Sequence, residues 1–383
     1  MKRAPAALLL ALLAGCYSPK DSPADLPPEE RPVRARPLES AIADGARWLI
    51  ANQKPAGYWG TGCVSWGYDI YGSVPSAQFA FKVGTTGLCA MALREEGSPA
   101  SLESARKAEK WLVEESVKLR RGDQDELYNV WGDIYAVQAM ALAARQENDP
   151  AWVGKLREAA SEHLDLLKRY QCAYGGWMYY DFATRSQTPG YPPTSFTTAA
   201  GLVAFREAVD SGIAVPDGLL KPCLRIVEKC RLGNNAYLYA WGHRYRPLSV
   251  INRPQGSLGR TQCCNEGLLA WNSPKVTLDD ARRGLADLFK LQGFLECGRK
   301  RPVPHEAYYA VSGYFYYFGH YYAARLLTRL PAAERAPIAE QLSAVIRKHQ
   351  EDDGCWWDYN AIWDFHKPYG TAFALMTLLR CRP

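Results

Sequence analysis

The chain has 383 residues, 48% hydrophobic and 22% charged, which excludes a disordered or largely membrane-embedded protein and supplies a sizeable core. Forty-six Lys and Arg against 40 Asp and Glu give a formal charge of +6 with no block of like charges, so nucleic acid is excluded as a partner. The 12 Trp and 23 Tyr stand out, because their apolar faces and polar tips suit both wedge packing between helices and cavity walls.

Lys2 and Arg3 precede an apolar stretch at 6–13, too short to span a bilayer and suited to a secretory leader. Leu13-Ala14-Gly15-Cys16 follows and resembles a bacterial lipobox. The resemblance implies that residues 1–15 are a signal peptide, that Cys16 carries lipid chains, and that the exported protein meets a cell or outer membrane through this anchor. Tyr17 stands where an Asp would retain such a lipoprotein in the inner membrane, which implies the outer-membrane class. Residues 16–37 contain Pro19, Pro23, Pro27, Pro28, Pro32 and Pro37 and read as an extended tether. Eleven cysteines include Cys16, and export makes disulfides expected among some of the rest, with Cys89 instead a buried apolar group.

From Leu38 onward the chain repeats itself. Gln53-x3-Gly57-x-Trp59, Gln171-x3-Gly175-x-Trp177 and Gln350-x3-Gly354-x-Trp356 share one spacing, and each closes an amphipathic helix. In the last copy Ile338, Leu342, Val345 and Ile346 share a face opposite Arg347 and Lys348, and the Gly supplies the helix stop. A second helix follows each motif and is apolar nearly all round, as in the run from Thr371 to Leu379, so it must be buried on every side. Weaker copies complete a register at 53, 116, 171, 230, 292 and 350, with second helices expected at 84–93, 132–143, 195–205, 260–271, 307–327 and 369–379.

The Gln-x3-Gly-x-Trp pattern is similar to the QW motif of squalene and oxidosqualene cyclases and to the repeat of protein prenyltransferase β subunits. The resemblance spans residues 38–383 and implies an all-α, α/α toroid of six helical hairpins, with a cavity where the inner helices begin. An open solenoid of hairpins is the alternative architecture.

Functional residues are therefore expected at the amino ends of the inner helices, where Asp133, Glu266, Glu306 and Asp364 come from four repeats. The acid motif of the cyclases is only partly present: Trp131-Gly132-Asp133-Ile134 keeps one acid of three, and Asp123-Gln124-Asp125-Glu126 lies earlier, in a connecting loop. Prenyltransferase zinc would need an Asp, a Cys and a His; Asp364-Phe365-His366 resembles the His segment, but His305-Glu306 stands where the thiolate is wanted, leaving His305, Glu306 and His366 as candidate ligands. Gln262-Cys263-Cys264-Asn265-Glu266-Gly267 resembles the thioester motif of complement-like toroids but has Gly267 in place of the required Gln. Acids including Asp181 and Asp358, near Trp177, Trp241, Trp357 and Trp363, supply the raw material for carbohydrate cleavage. No motif requires a cofactor. Two readings stay open: a toroid binding an unidentified ligand or protein partner in its cavity, and an envelope enzyme acting on isoprenoid lipids or on glycans, as a hydrolase through paired carboxylates or a lyase through a Tyr and an Arg in an aromatic cleft. A carboxylate pair among Trp rings would favour the enzyme, and an apolar, acid-free cavity would favour binding.

Overall fold

The computed structural model describes residues 36–61, 74–182, 188–360 and 364–383, and among these it contains thirteen α-helices and no strand beyond three isolated bridges. Cys16, Cys63, Trp363, the expected leader and nearly all of the expected tether lie outside the described residues. No helix among those described is long and apolar enough to cross a membrane.

Six hairpins account for the helices: α1 (Leu38–Ala51) with α2 (Pro75–Glu96), α3 (Pro99–Glu115) with α4 (Asn129–Gln146), α5 (Pro150–Arg169) with α6 (Ser195–Asp210), and α7 (Leu220–Cys230) with α8 (Pro254–Leu269). The fifth is α9 (Leu278–Lys290) with the short α10 (Gln292–Gly298) and α11 (Phe315–Arg329), and the sixth α12 (Ala332–Arg347) with α13 (His366–Arg380). The second helices pack in cyclic order, α2, α4, α6, α8, α11, α13 and back to α2, while α1 packs on α13. The ring is closed, which removes the exposed ends an open solenoid would have.

Local chemistry sets the ends. Outer helices α3 and α5 start with Pro at the first position behind Ser98 and Asp149, whose side chains accept from backbone amides, and α9 starts in a Thr277–Asp280 capping box. Inner helices approach closely enough to demand glycine: a Cβ on Gly319 of α11 would sit 2.6 Å from the Cα of Gly259 on α8.

The repeated motif is a staple between units. Trp59, Trp177 and Trp356 are fully buried, and each indole donates to the carbonyl ten residues back, at Leu49, Leu167 and Ile346 (2.8–2.9 Å). Gly57, Gly175 and Gly354 have φ of +108°, +91° and +94° and lie against backbone carbonyls of the next outer helix, those of Lys107, Pro222 and Asp44. Gln53, Gln171 and Gln350 donate to carbonyls of the same neighbours, at Ser104, Leu219 and Ala41. The last of these ties α12 to α1 and closes the outer layer.

Three expected starts move by more than a turn. The first inner helix begins at Pro75 rather than 84 and the fourth at Pro254 rather than 260, since Pro takes the first helical position behind an extended Val74 or Arg253. The fifth begins at Phe315, because Tyr309 and Ala310 have positive φ and hold 307–314 as a loop. The nine described cysteines are free, not disulfide-bonded, and eight are buried as small apolar groups.

A candidate ligand cavity at the amino ends of the inner helices

A cavity of about 300 Å³ lies where the inner helices begin, at the small end of ligand-pocket volumes. Its floor and walls are aromatic: Trp131 stacks on Tyr135 and meets Phe196 and Phe318, while Phe373 sits edge-on to Tyr135. The described residues lining it include no Asp or Glu.

Polarity enters as a belt of tyrosines at the mouth. Tyr128 and Tyr180 join hydroxyls at 2.7 Å, Tyr179 bonds Tyr239, Tyr239 meets Tyr314 at 3.2 Å, and Tyr314 meets His305 Nε2 at 3.1 Å. His305 Nδ1 lies 2.7 Å from the Ala310 carbonyl and must donate there. Burial lowers the His305 pKa and keeps the ring neutral, so Nε2 accepts from Tyr314, Tyr314 in turn accepts from Tyr239, and Tyr239 from Tyr179. The chain of hydroxyls therefore has one direction. Behind it Arg260, 1% exposed, stands over the rings of Tyr239 and Phe315 at 5.3 and 5.4 Å and donates to the carbonyls of Gly256 and Ile251. Burial brings its pKa down to about 10.

One acid stands immediately behind the wall. Asp358 is fully buried, Oδ2 accepting from the Tyr317 amide at 3.1 Å and Oδ1 lying 2.7 Å from the hydroxyl of Tyr369, which lines the cavity. Burial pushes its carboxyl up to about 7, against the pull of those two hydrogen bonds. Tyr369 also reaches the Tyr359 carbonyl at 2.8 Å, so it can donate there and accept from protonated Asp358.

The acids expected in the cavity lie elsewhere. Asp133, one turn into α4, faces α5: its Oδ1 meets His163 Nδ1 at 2.7 Å and His163 Nε2 meets Ser116 Oγ at 2.7 Å. This has the outline of a catalytic triad, yet all three side chains are buried without access, and Ser116 aims its proton at the Leu112 carbonyl rather than at the imidazole. It ties the second unit to the third, where the Gln-Gly-Trp staple is missing. Glu266 falls in the last turn of α8, at the opposite end of the ring, bonded to Arg325 and Arg329. Burial raises its carboxyl, but the two guanidiniums outweigh burial and hold it below the ordinary value. Glu306 is exposed, 3.9 Å from Arg301, and Asp364, at the rim before α13, accepts from Thr61 at 2.7 Å.

His305, Glu306 and His366 are not brought together: the first is held by Ala310 and Tyr314, the second faces solvent, and the third lies edge-on to Trp357. No group of three or more potential metal ligands occurs among the described residues. Gln262 to Gly267 is buried inside α8, with Gly267 against the Ala199 carbonyl, so no thioester segment is presented. Glu126, from the acidic loop, is buried and caps the Tyr128 amide.

A second concavity of about 650 Å³ opens at the carboxyl ends of the inner helices, lined by Glu207, Glu266, Arg325, Arg329 and Arg380. Its charges are already paired, Glu207 with Arg325 at 2.6 Å and Arg380 with Glu95 at 2.7 Å, and the arginines answer the helix dipoles there. It is larger but committed to holding the ring.

The mouth tyrosines were missed from sequence, although a signal exists. Thr61, Tyr179 and Asp358 each stand two residues after a motif Trp, and Tyr239 stands two after Tyr237, which fills the Trp position of a degenerate copy, Arg231-x3-Asn235-x-Tyr237. There Asn235 takes the glycine's positive φ (64°), and Arg231 reaches Asp280 on the next outer helix.

No family model matches the chain, and no curated protein does. Among solved structures it is similar to a type II terpene cyclase from Scytonema, with 15% identity over 89% of this chain and 97% of that one, TM-score 0.53. A cellobiose 2-epimerase from Spirochaeta thermophila gives 13% over 90% and 97%, TM-score 0.59. An α-1,6-mannanase of Salegentibacter gives 10% over 90% and 98%, TM-score 0.56. The fold is an α/α toroid. At these identities the likeness carries architecture alone, since toroids of this shape serve different chemistries.

Proposed function

We propose that this toroid is the body of an exported, lipid-anchored protein of the QW-repeat type, held by Cys16 and a tether at 16–37, which binds an apolar ligand in its aromatic cavity. The observation that carries the reading is the lining: aromatic, with no carboxylate among the described residues. Hydrolysis of a glycan needs a carboxylate pair at the reacting bond, and none lines the cavity among the described residues. The tyrosine belt suits one polar group at the end of an otherwise apolar molecule, such as an isoprenoid alcohol. Calorimetry with farnesol and with a mannotetraose tests this. Saturable binding of farnesol alone supports it; binding of the oligosaccharide alone refutes it.

A second reading has one observation behind it. Asp358, with a carboxyl pKa of about 7 and one hydrogen bond behind cavity-lining Tyr369, is placed to supply or take a proton at that wall. An envelope enzyme acting on an isoprenoid lipid would then lose turnover but keep binding in Asp358→Asn.

A further inference from the structure

We propose that the cavity mouth selects the hydrogen-bonding sense of its ligand: His305, acting through Tyr314 and Tyr239, makes Tyr179 an acceptor that receives a hydroxyl and disfavours the carbonyl analogue of the same chain. This selectivity rests on the cavity reading and narrows it to a ligand with a donor at its polar end. The hydroxyls concerned are short of protons. His305 Nε2 is linked to Tyr314 at 3.1 Å, Tyr314 to Tyr239 at 3.2 Å, and Tyr239 to Tyr179. Each phenol has one proton, and the three hydroxyls have three links to fill. With Nδ1 donating to the Ala310 carbonyl, Nε2 offers only a lone pair, so Tyr314 must donate to it, Tyr239 to Tyr314 and Tyr179 to Tyr239. No proton is left over. Tyr179 lines the cavity and is partly exposed, whereas Tyr239 is buried and does not line it, so a ligand meets the chain at its Tyr179 end and finds oxygen lone pairs there.

The root of the chain is held in one state. His305, Tyr309 and Ala310 have φ of +63°, +55° and +54°, a conformation that L side chains rarely adopt, and the loop they shape aims the Ala310 carbonyl at Nδ1. Strain of this kind persists where the surroundings over-determine it, and here its effect is to fix one imidazole tautomer. Burial opposes a second proton on the ring, and Arg260 and His243 add to it against the pull of the Ala310 carbonyl. The Tyr128–Tyr180 pair is bonded within itself and is not part of this series. A ligand hydroxyl can therefore donate to Tyr179 with every link intact. An aldehyde brings only an acceptor: either its oxygen stays unpaired, or it takes the Tyr179 proton and leaves the Tyr239 link unfilled. Either way one buried hydrogen bond is lost, worth about tenfold in affinity.

The test is titration calorimetry of the full chain at pH 7.5 with farnesol and with farnesal, its aldehyde. No Lys lines the cavity among the described residues, so the aldehyde is not captured there as an imine. Expected is tighter binding of farnesol, by about tenfold. Two variants cut the series at different points. His305→Gln places an amide near the Nε2 position that can donate or accept, and Tyr239→Phe removes the middle link. Each frees the Tyr179 proton, so each is expected to bind farnesal about tenfold more tightly than the unsubstituted protein does. A gain in affinity does not arise from a damaged fold. Farnesal bound by the unsubstituted protein as tightly as farnesol, or no gain of farnesal affinity in the variants, overturns the selectivity and leaves the cavity reading standing. A gain in one variant without the other also overturns it, since the series needs both residues. Failure of both ligands to bind refutes the cavity reading and the selectivity with it.

Discussion

Replacing Asp358 by Asn changes how stability depends on pH, in a direction set by the buried carboxyl. Its pKa is about 7 in the folded chain and near 3.9 when unfolded, so between these values the folded state holds a proton that the unfolded state releases. Stability from this group is complete below pH 4 and is lost as pH rises through 7, at about 1.4 kcal/mol per pH unit within the window. Over the whole window the loss is on the order of 4 kcal/mol. Asn cannot titrate, yet its amide can donate to the Tyr369 oxygen while Tyr369 turns to the Tyr359 carbonyl, and its oxygen can accept from the Tyr317 amide. Urea unfolding at pH 5, 6, 7 and 8 measures both proteins. The stability difference should shift in favour of the Asn variant from pH 5 to 7 and flatten above it. Parallel curves would mean that Asp358 does not hold its proton in the folded state, and the proton-supplying reading of the cavity wall would fall with it.

Trp177→Ala and Trp356→Ala should each cost about 3 to 5 kcal/mol by urea titration, because each empties a fully buried indole site and orphans a carbonyl, while farnesol affinity stays unchanged. Glu266→Gln should lower stability by about 3 kcal/mol without altering ligand affinity, since it removes a buried charge between Arg325 and Arg329 far from the cavity; unchanged melting would show that this network does not hold the ring. Cys16→Ser should move the protein from the detergent phase to the aqueous phase in a partitioning assay, and retention in detergent would remove the lipid-anchor proposal.

The ring was legible in the sequence because its signature residues make the contacts closure requires. A Trp reaches back ten residues, a Gly adopts positive φ against the next helix, and a Gln crosses to that helix. The fourth unit was harder to align, since Asn235 takes the positive φ, Arg231 crosses to Asp280, and Tyr237 fills the Trp position but bonds Asn265 instead of reaching back. The candidate acids were misplaced for physical reasons. An apolar run shows where a helix is buried, not where it starts, and beginning α8 at Pro254 carries Glu266 to its far end. Asp133 lies at the right level but on the face toward α5, where His163 receives it. The tyrosine belt escaped notice because tyrosine serves equally as packing, and the recurring position after the motif Trp marks only Tyr179 and Tyr239, not Tyr128, Tyr180 or Tyr314.

The most direct test of the cavity as binding site is photolabelling of the full chain with a diazirine-bearing isoprenoid alcohol, followed by peptide mapping, with Leu88→Trp as a variant that fills the lining. Adducts are expected on Trp131, Tyr135, Phe318 and their neighbours, competed by farnesol and lost in Leu88→Trp. Adducts concentrated instead around Glu207 and Arg325, or labelling undiminished by Leu88→Trp, would contradict the assignment of the ligand to the aromatic cavity.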